Sequence, residues 1–255
     1  MGVVAGAVWY VIARDDPAEH PWVSHQEQEF IATGLPSRSE SGRARLRWTE
    51  IAGDCNVQAL SFSYFAYGYV VYIFFSWFFI YLNTVRGLDM KKSSLYTMLP
   101  FIAMAVASPL GGWASDRITR AKGERAGRCV LAAVTMVLSG IFLIAGARVS
   151  SVTFAVIVLA GGAGALYLSQ SSFWSVSADI GGSSSGAVSG TMNMGCQVGG
   201  AVSSSLTPWI AMKFGWTAAF IVAATLVLCG GGAWLLVYTN GRSRVGVIQS
   251  EVEAA

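Results

Sequence analysis

Six long apolar segments, each free of Asp, Glu, Lys, Arg and His, dominate this chain of 255 residues. Each is close to or above the ~20 residues that an α-helix needs to cross the hydrocarbon core of a bilayer. Because a bilayer offers no water to backbone N–H and C=O groups, such segments are predicted to be transmembrane helices. The six predicted spans are Val57–Leu82, Leu95–Ser115, Cys129–Ala147, Val152–Ala178, Gly186–Met212 and Trp216–Tyr238.

The composition agrees with a membrane protein. Only 12% of the residues are charged and 54% are hydrophobic, whereas about a quarter of the residues in a soluble domain are charged. The charges lie between the apolar segments, so the net charge of +3 reflects membrane topology, and we expect no nucleic-acid partner. The predicted fold is all-α, a multi-pass bundle of six transmembrane helices in a lipid bilayer.

The rest of the chain is divided around this bundle. Residues 1–13 are apolar but too short to span, and we interpret them as the remnant of a truncated transmembrane helix. Residues 14–50 are polar and are predicted to form a cytoplasmic loop, with an amphipathic turn near Glu27–Ile31. Residues 51–240 hold the six-helix bundle, and residues 241–255 form a cytoplasmic tail.

The distribution of Lys and Arg predicts the orientation of the bundle. Residues 14–50, the turn at Arg117–Arg128 and the tail together carry twelve of these cations, and the opposite side carries five. Cytoplasmic loops are enriched in Lys and Arg. We therefore expect a cytoplasmic C-terminus and a place in the cell membrane, which is the inner membrane in a Gram-negative cell.

The turn between the second and third spans contains the motif Gly112-Trp-Ala-Ser-Asp116-Arg117, which a basic run to Arg128 follows. Glycine lets helix ends approach closely, and an aspartate can cap a helix or pair with arginine. We expect Asp116 to bond a nearby arginine or free backbone N–H groups. The alternative is an ordinary loop whose cations only set the topology.

Uncharged polar side chains concentrate in the fourth and fifth spans. Gln170, Ser171 and Ser172 lie in the fourth span, and Asn193 and Gln197 lie one helical turn apart in the fifth. Such groups cost free energy in hydrocarbon unless they find partners or line a wet cavity. Two interpretations stay open: hydrogen bonds between helices, or the lining of a substrate cavity.

Aromatic residues form a stripe on one face of the first span. Tyr64, Tyr72, Phe75 and Phe79 share this face with Gly68. Aromatic stripes are more often packing surfaces than binding surfaces, but the two tyrosine hydroxyls need hydrogen-bond partners.

The fifth span carries two pairs of glycines four residues apart, Gly186/Gly190 and Gly195/Gly199. Small residues at this spacing permit close helix crossings. The four cysteines and two histidines show no spacing typical of a metal site. We therefore predict no metal, no cofactor and no enzyme active site.

Several stretches together resemble the carboxy-terminal half of a major facilitator superfamily transporter. The resemblance covers roughly residues 14–244 and is closer still to the anion:cation symporters, the carriers of hexuronate, galactonate, glucarate and phthalate. One departure is Phe79, where many members of this branch have proline. The stretches that carry the resemblance are Tyr72–Leu82 with Arg86 and Gly87, Pro109–Arg117, Phe173–Ile180, Ser189–Gly195 and Phe214–Phe220.

The resemblance implies one half of a twelve-helix fold, in which the first, second, fourth and fifth helices of each half line a central cavity. Residues 1–13 would then end the sixth helix of the other half, and residues 14–50 would join the halves. Gly112, Asp116 and Arg117 would form a conformational-switch loop. Asn193 matches the asparagine of an S-G-x-x-N element and is the foremost substrate contact. The other candidates for substrate binding are Gln170, Ser171, Ser172, Gln197, Tyr64 and Tyr72.

The implied function is alternating-access transport of a small organic anion, such as a sugar acid or an aromatic carboxylate. Proton coupling requires a titratable group inside the membrane, and an organic anion usually requires an arginine there. The six spans contain neither. We therefore expect both in an amino-terminal six-helix half that is missing from this chain. The alternative is a non-transporting truncated membrane protein or an interaction scaffold.

Overall fold

A computed structural model describes residues 2–14, 16–34 and 48–237, which form helices and turns and contain no strand. The all-α prediction is therefore confirmed for these residues. The chain divides into two compact units, Met1–Ala44 and Arg45–Ala255. The predicted tail at residues 241–255 lies outside the described residues, as do residues 35–47 of the predicted loop.

The described residues of the first unit contain two short α-helices. Helix α1 (Gly2–Ile12) has 11 residues and buries none of them. At about 1.5 Å per residue it is roughly half as long as the hydrocarbon core is thick. Helix α2 (His25–Gly34) contains the predicted amphipathic turn, and the Glu27 N–H donates to Ser24 Oγ at 3.3 Å near its start.

The described part of the second unit begins with a short helix, α3 (Trp48–Gly53), and continues as six long helices that overlap the six predicted spans. Five of the six are long and apolar enough to cross a membrane. The exception is α8, which is rich in Gly, Ser and amide residues but has 30 residues, enough for about 45 Å. The long helices are α4 (Cys55–Val85), α5 (Met90–Lys122), α6 (Arg125–Arg148), α7 (Val152–Gly181), α8 (Ser185–Phe214) and α9 (Trp216–Leu236).

The six long helices pair in a twofold pattern. Helix α4 packs along α8 and α9, α7 packs along α5 and α6, and α6 packs against α9. Exchanging α4, α5 and α6 with α7, α8 and α9 leaves this set of pairs unchanged. We therefore describe the bundle as two three-helix repeats, α4–α6 and α7–α9.

The first helix of each repeat is irregular at the same place. Helix α4 becomes π-helical at Ile73–Trp77, which begins 18 positions after Cys55. Helix α7 is interrupted at Ser169, 17 positions after Val152, between the segments Val152–Leu168 and Gln170–Gly181. π-Bulges and broken helices are frequent at functional sites, so both positions direct attention to the middle of the bundle.

Glycines bring α4 and α8 into backbone contact. A methyl group on Gly195 would lie 2.5 Å from the backbone oxygen of Ser61, and one on Gly199 would overlap the next turn of α4. Gly186 and Gly190, the first of the two predicted pairs, have open space around them. Only the second pair therefore forms a helix crossing.

The equivalent pair under this exchange, α5 and α7, is brought together in the same way. Gly111 of α5 lies against the backbone of Leu168, so that a methyl group there would overlap the Leu168 carbonyl oxygen. Gly164 of α7 lies against Ala103, with 3.4 Å from its ideal Cβ position to the Ala103 Cβ. Small residues thus set the separation of the helices at both crossings, α4 with α8 and α5 with α7.

The prediction of a loop over Arg117–Arg128 was wrong in its extent. Helix α5 continues to Lys122, Gly123 ends it with a φ of +88°, and α6 begins at Arg125. The basic run consists of good helix formers, so the helix extends beyond the apolar segment until a glycine stops it.

We expect Gly199→Ala to lower the free energy of unfolding by about 1–3 kcal/mol, because the added methyl group meets backbone that cannot move aside. Gly190→Ala on the same helix is the matched control and should be neutral or slightly stabilising, since alanine favours a helix. Thermal unfolding of the purified variants in detergent measures both. Equal effects at the two positions would contradict the assigned crossing.

Candidate functional site

A cluster of aromatic rings joins α4 to both segments of α7. The ring centroids of Tyr64 and Phe173 are 4.5 Å apart, and those of Tyr67 and Tyr167 are 5.7 Å apart. Trp174 stands edge-on to Tyr64 at 6.4 Å. Tyr64 is only 3% exposed and Trp174 is 43% exposed, so the cluster extends from the interior to the surface of the bundle.

Gln170 follows the interruption of α7 directly and is bonded to this cluster. Its side-chain oxygen accepts a hydrogen bond from the Tyr67 hydroxyl, and its amide also interacts with Tyr64. The amide is half-buried and paired, as a polar group at membrane depth must be. Gln170 therefore joins the two repeats at the point where α7 is broken.

A second tyrosine–amide pair lies between α4 and α8. The Tyr72 hydroxyl donates to the Gln197 side-chain oxygen at 3.0 Å, and the Tyr72 ring lies against Gly200. Gln197 is exposed, and its –NH₂ group makes no hydrogen bond within residues 48–237. The pair fixes the side chain by its oxygen and leaves two N–H donors available.

Asn193 lies one helical turn before Gln197 on α8. Its side chain is half-buried and makes no hydrogen bond to any part of the chain that the structure describes. With Gln197 it presents up to four amide N–H donors along one side of the helix. Carboxylate and hydroxyl oxygens are suitable acceptors for such donors.

The two serines predicted to bind substrate, Ser171 and Ser172, lie on α7, away from the amides of α8. The Ser172 side chain is 0% exposed, and the hydroxyl oxygens of Ser171 and Ser172 are buried without a hydrogen-bond partner among the described residues. Ser171 lies beside Gly112, where α7 crosses α5. Of the predicted binding residues, Tyr72, Asn193 and Gln197 thus share one region of the bundle, and Tyr64 and Gln170 belong to the adjacent aromatic cluster.

Asp116 does not make the bond predicted for it. It is exposed inside α5 and forms neither an ion pair nor a side-chain hydrogen bond with the described residues. The helix continues on both sides of Asp116, so the neighbouring backbone N–H groups are already bonded within it. The guanidinium of Arg117 instead lies 5.7 Å from the centre of the Trp113 ring.

One acidic residue that is paired at this end of the bundle is Asp179, which the sequence analysis missed. It forms an ion pair with Arg128 that links the end of α7 to the start of α6. Asp179 directly follows the predicted fourth span, which ended at Ala178. A lone carboxylate at the same membrane side as a basic turn was the signal that could have revealed the pair.

The described residues contain no group of three or more His, Cys, Asp or Glu side chains that could hold a metal ion. All four cysteines are free. The site is thus made of amides, hydroxyls and aromatic rings.

The two amides at this site should differ in what they contribute to stability. We expect Gln170→Ala to lower the free energy of unfolding by about 1–3 kcal/mol, because it leaves the buried Tyr67 hydroxyl without its acceptor. Asn193→Ala should change it by no more than ~0.5 kcal/mol, because it breaks no bond within the bundle. Thermal unfolding of the two variants side by side tests this order, and the reverse order would contradict the assigned contacts.

Comparison of the sequence with known proteins finds relatives that match most of this chain. The chain is 28% identical over 241 residues to a probable chloroplastic anion transporter of Oryza sativa subsp. japonica, covering 94% of this chain and 40% of the relative. It is 29% identical over 244 residues to a probable sulfoacetate transporter of Cupriavidus necator, covering 92% and 56%. It is 25% identical over 233 residues to the hexuronate transporter of Bacillus subtilis, covering 89% and 53%.

The chain thus spans about half the length of these relatives, all of which are named as transporters. The family model of the Major Facilitator Superfamily matches residues 1–204. The helical bundle, its two three-helix repeats and this match agree. The chain is a multi-pass membrane protein that belongs to the major facilitator superfamily, a family of transporters and not of enzymes.

Proposed function

We propose that this chain is a six-helix unit of a secondary transporter that moves a small anion by alternating access. The observation that carries the proposal is the pair of amides on α8, Asn193 and Gln197, whose N–H donors are unused within residues 48–237. Amide donors at mid-helix in a membrane protein cost free energy unless water or a ligand meets them.

The substrate class that suits these donors is an organic anion with carboxylate and hydroxyl oxygens, such as a sugar acid or an aromatic carboxylate. The relatives named for hexuronate and sulfoacetate support this class. The exposed edge of the aromatic cluster at Trp174 offers a ring surface for the carbon frame of such a substrate. Gln170, Tyr64 and Tyr72 would hold the binding surface in place, and Ser171 and Ser172 would lie behind it.

The unit needs a second set of helices in this proposal. Only 22% of the residues in the most apolar stretch of α5 are buried, against 61% in α4. We assign the open sides of α5 and α8 to contacts with a further six-helix unit, the amino-terminal half of a twelve-helix transporter. That half would supply the intramembrane arginine and the titratable group for proton coupling.

In the proposed orientation, the C-terminus and the Gly112–Arg117 segment lie on the cytoplasmic side of a cell membrane, because Lys and Arg are distributed twelve to five in favour of that side. Asp116 and Arg117 are exposed before the end of α5 at Lys122. In this position they are available to a partner unit that moves against this one, which is the switch role proposed for the segment with Gly112.

The binding role is tested in the intact transporter, reconstituted with both six-helix units, by equilibrium binding and uptake of a radiolabelled hexuronate. We expect Asn193→Ala to weaken binding about tenfold or more, because the substrate loses one or two hydrogen bonds. Gln197→Ala should have a similar effect. Met194→Ala, the matched control on the exposed surface of the same helix, should leave affinity unchanged.

The alternative is a non-transporting scaffold in which these amides serve helix packing alone. That alternative predicts a loss of thermal stability in Asn193→Ala, with unchanged affinity in the protein that survives. Measuring both quantities on one purified variant separates the two functions, and a fall in stability alone would refute the binding role.

A further inference from the structure

A polar cavity lies at the opposite end of the bundle from Arg117–Arg128, where the turns α4–α5, α6–α7 and α8–α9 meet. Its volume is about 320 Å³. Arg86, Arg148, Ser150 and Trp216 are among its lining residues. Arg148 ends α6, and Trp216 begins α9.

Arg86 is held rigidly at the wall of this cavity. Its Nε donates to the Tyr81 hydroxyl at 2.7 Å, its Nη2 to the Val149 carbonyl at 2.8 Å and its Nη1 to the Ser150 carbonyl at 3.2 Å. The guanidinium carbon also lies 5.5 Å from the centre of the Tyr81 ring. A guanidinium has five N–H groups, so two remain after these three bonds.

Arg148 is the second guanidinium at the cavity. It is exposed and makes neither an ion pair nor a hydrogen bond with its side chain within residues 48–237. The lining contains no Asp or Glu. Asp89, the acidic residue in the nearby α4–α5 turn, accepts from the Lys92 N–H and lies 3.6 Å from Lys92 Nζ. Neither arginine thus has a carboxylate partner at the cavity.

The lining also offers neutral donors beside the two charges. The Thr217 hydroxyl belongs to it, and α9 begins at Trp216 after Gly215, which has no side chain to cap the first turn. Two guanidiniums near one cavity repel each other, and a bound anion offsets this repulsion. The anion also accepts hydrogen bonds from their unused N–H groups. Arg86 is already fixed by the protein, so less side-chain entropy is lost when an anion binds.

We propose that this cavity binds an oxyanion, through Arg86 and Arg148, at a site separate from the amides of α8. The ligand chemistry is a phosphate or sulfate group, which a free ion or a lipid headgroup can supply. Gln197 is 17 positions before Phe214 at the end of α8, which is about 25 Å along a helix. The two sites therefore do not overlap, and this one does not depend on the transported substrate.

The test is a titration of the purified full chain in lipid-free detergent with sodium phosphate, at constant ionic strength set by sodium chloride. We expect a saturable rise in the midpoint of thermal unfolding, since a ligand that binds the folded state stabilises it. Arg148→Gln should weaken the apparent affinity about tenfold or more. Lys91→Gln, an exposed cation at the same end that does not line the cavity, is the matched control and should titrate as the parent does.

A second titration with dihexanoyl phosphatidylglycerol identifies the source of the oxyanion. A saturable response to phosphate that depends on Arg148 supports a free ion, and a response to the lipid alone that depends on Arg148 supports a headgroup. The proposal is overturned by an unsaturable response, by no response to either ligand, or by equal responses in Arg148→Gln and the parent. The exposed position of Arg148 allows this comparison, whereas Arg86→Gln would also remove three bonds that hold the turns together.

Discussion

Direct backbone contact between α4 and α8, and between their counterparts α7 and α5, is the constraint on which the rest of the bundle depends. Helices in a bilayer gain little from burying apolar side chains against each other, because lipid tails are equally apolar. Close packing across small residues takes the place of that driving force. Gly199 and Gly111 supply it at the two crossings, where a methyl group would overlap a carbonyl oxygen of the facing helix.

The same pairing explains why one side of α8 can serve binding. Gly195 and Gly199 attach one side of the helix to α4, and Asn193 and Gln197, each two positions earlier, lie about 200° around the helix from them. The amides therefore stand apart from the packed side, and only the Gln197 oxygen is engaged, by Tyr72. On α7 the opposite holds, because Gln170 is drawn into the aromatic cluster by Tyr67. Helix α8 thus carries unused amide donors, whereas the amide of α7 is bonded within the aromatic cluster.

The sequence predicted the six long helices because their length and lack of charge leave few alternatives in a membrane protein. It did not predict where α5 ends, because apolarity marks the membrane boundary while helix propensity and Gly123 decide the end of the helix. The motif predicted a bonding partner for Asp116. Which charges pair depends on which helix ends meet, and at these helix ends Asp179 pairs with Arg128. Ser172 is buried in the second segment of α7, after an interruption at Ser169 that no local pattern in the sequence predicts.

The central claim is that Asn193 and Gln197 face a water-accessible substrate path. The most direct measurement is the rate at which a membrane-impermeant thiosulfonate reagent labels single cysteines in a variant whose four native cysteines are replaced. The sites are Asn193→Cys and Gln197→Cys, with the fully buried Val188→Cys on the same helix as control. In membranes that contain the intact transporter, we predict rapid labelling at both amide positions, protection by a transported carboxylate, and no labelling at the control. Labelling of Asn193→Cys and Gln197→Cys as slow as that of Val188→Cys would contradict the claim and leave the amides as packing groups.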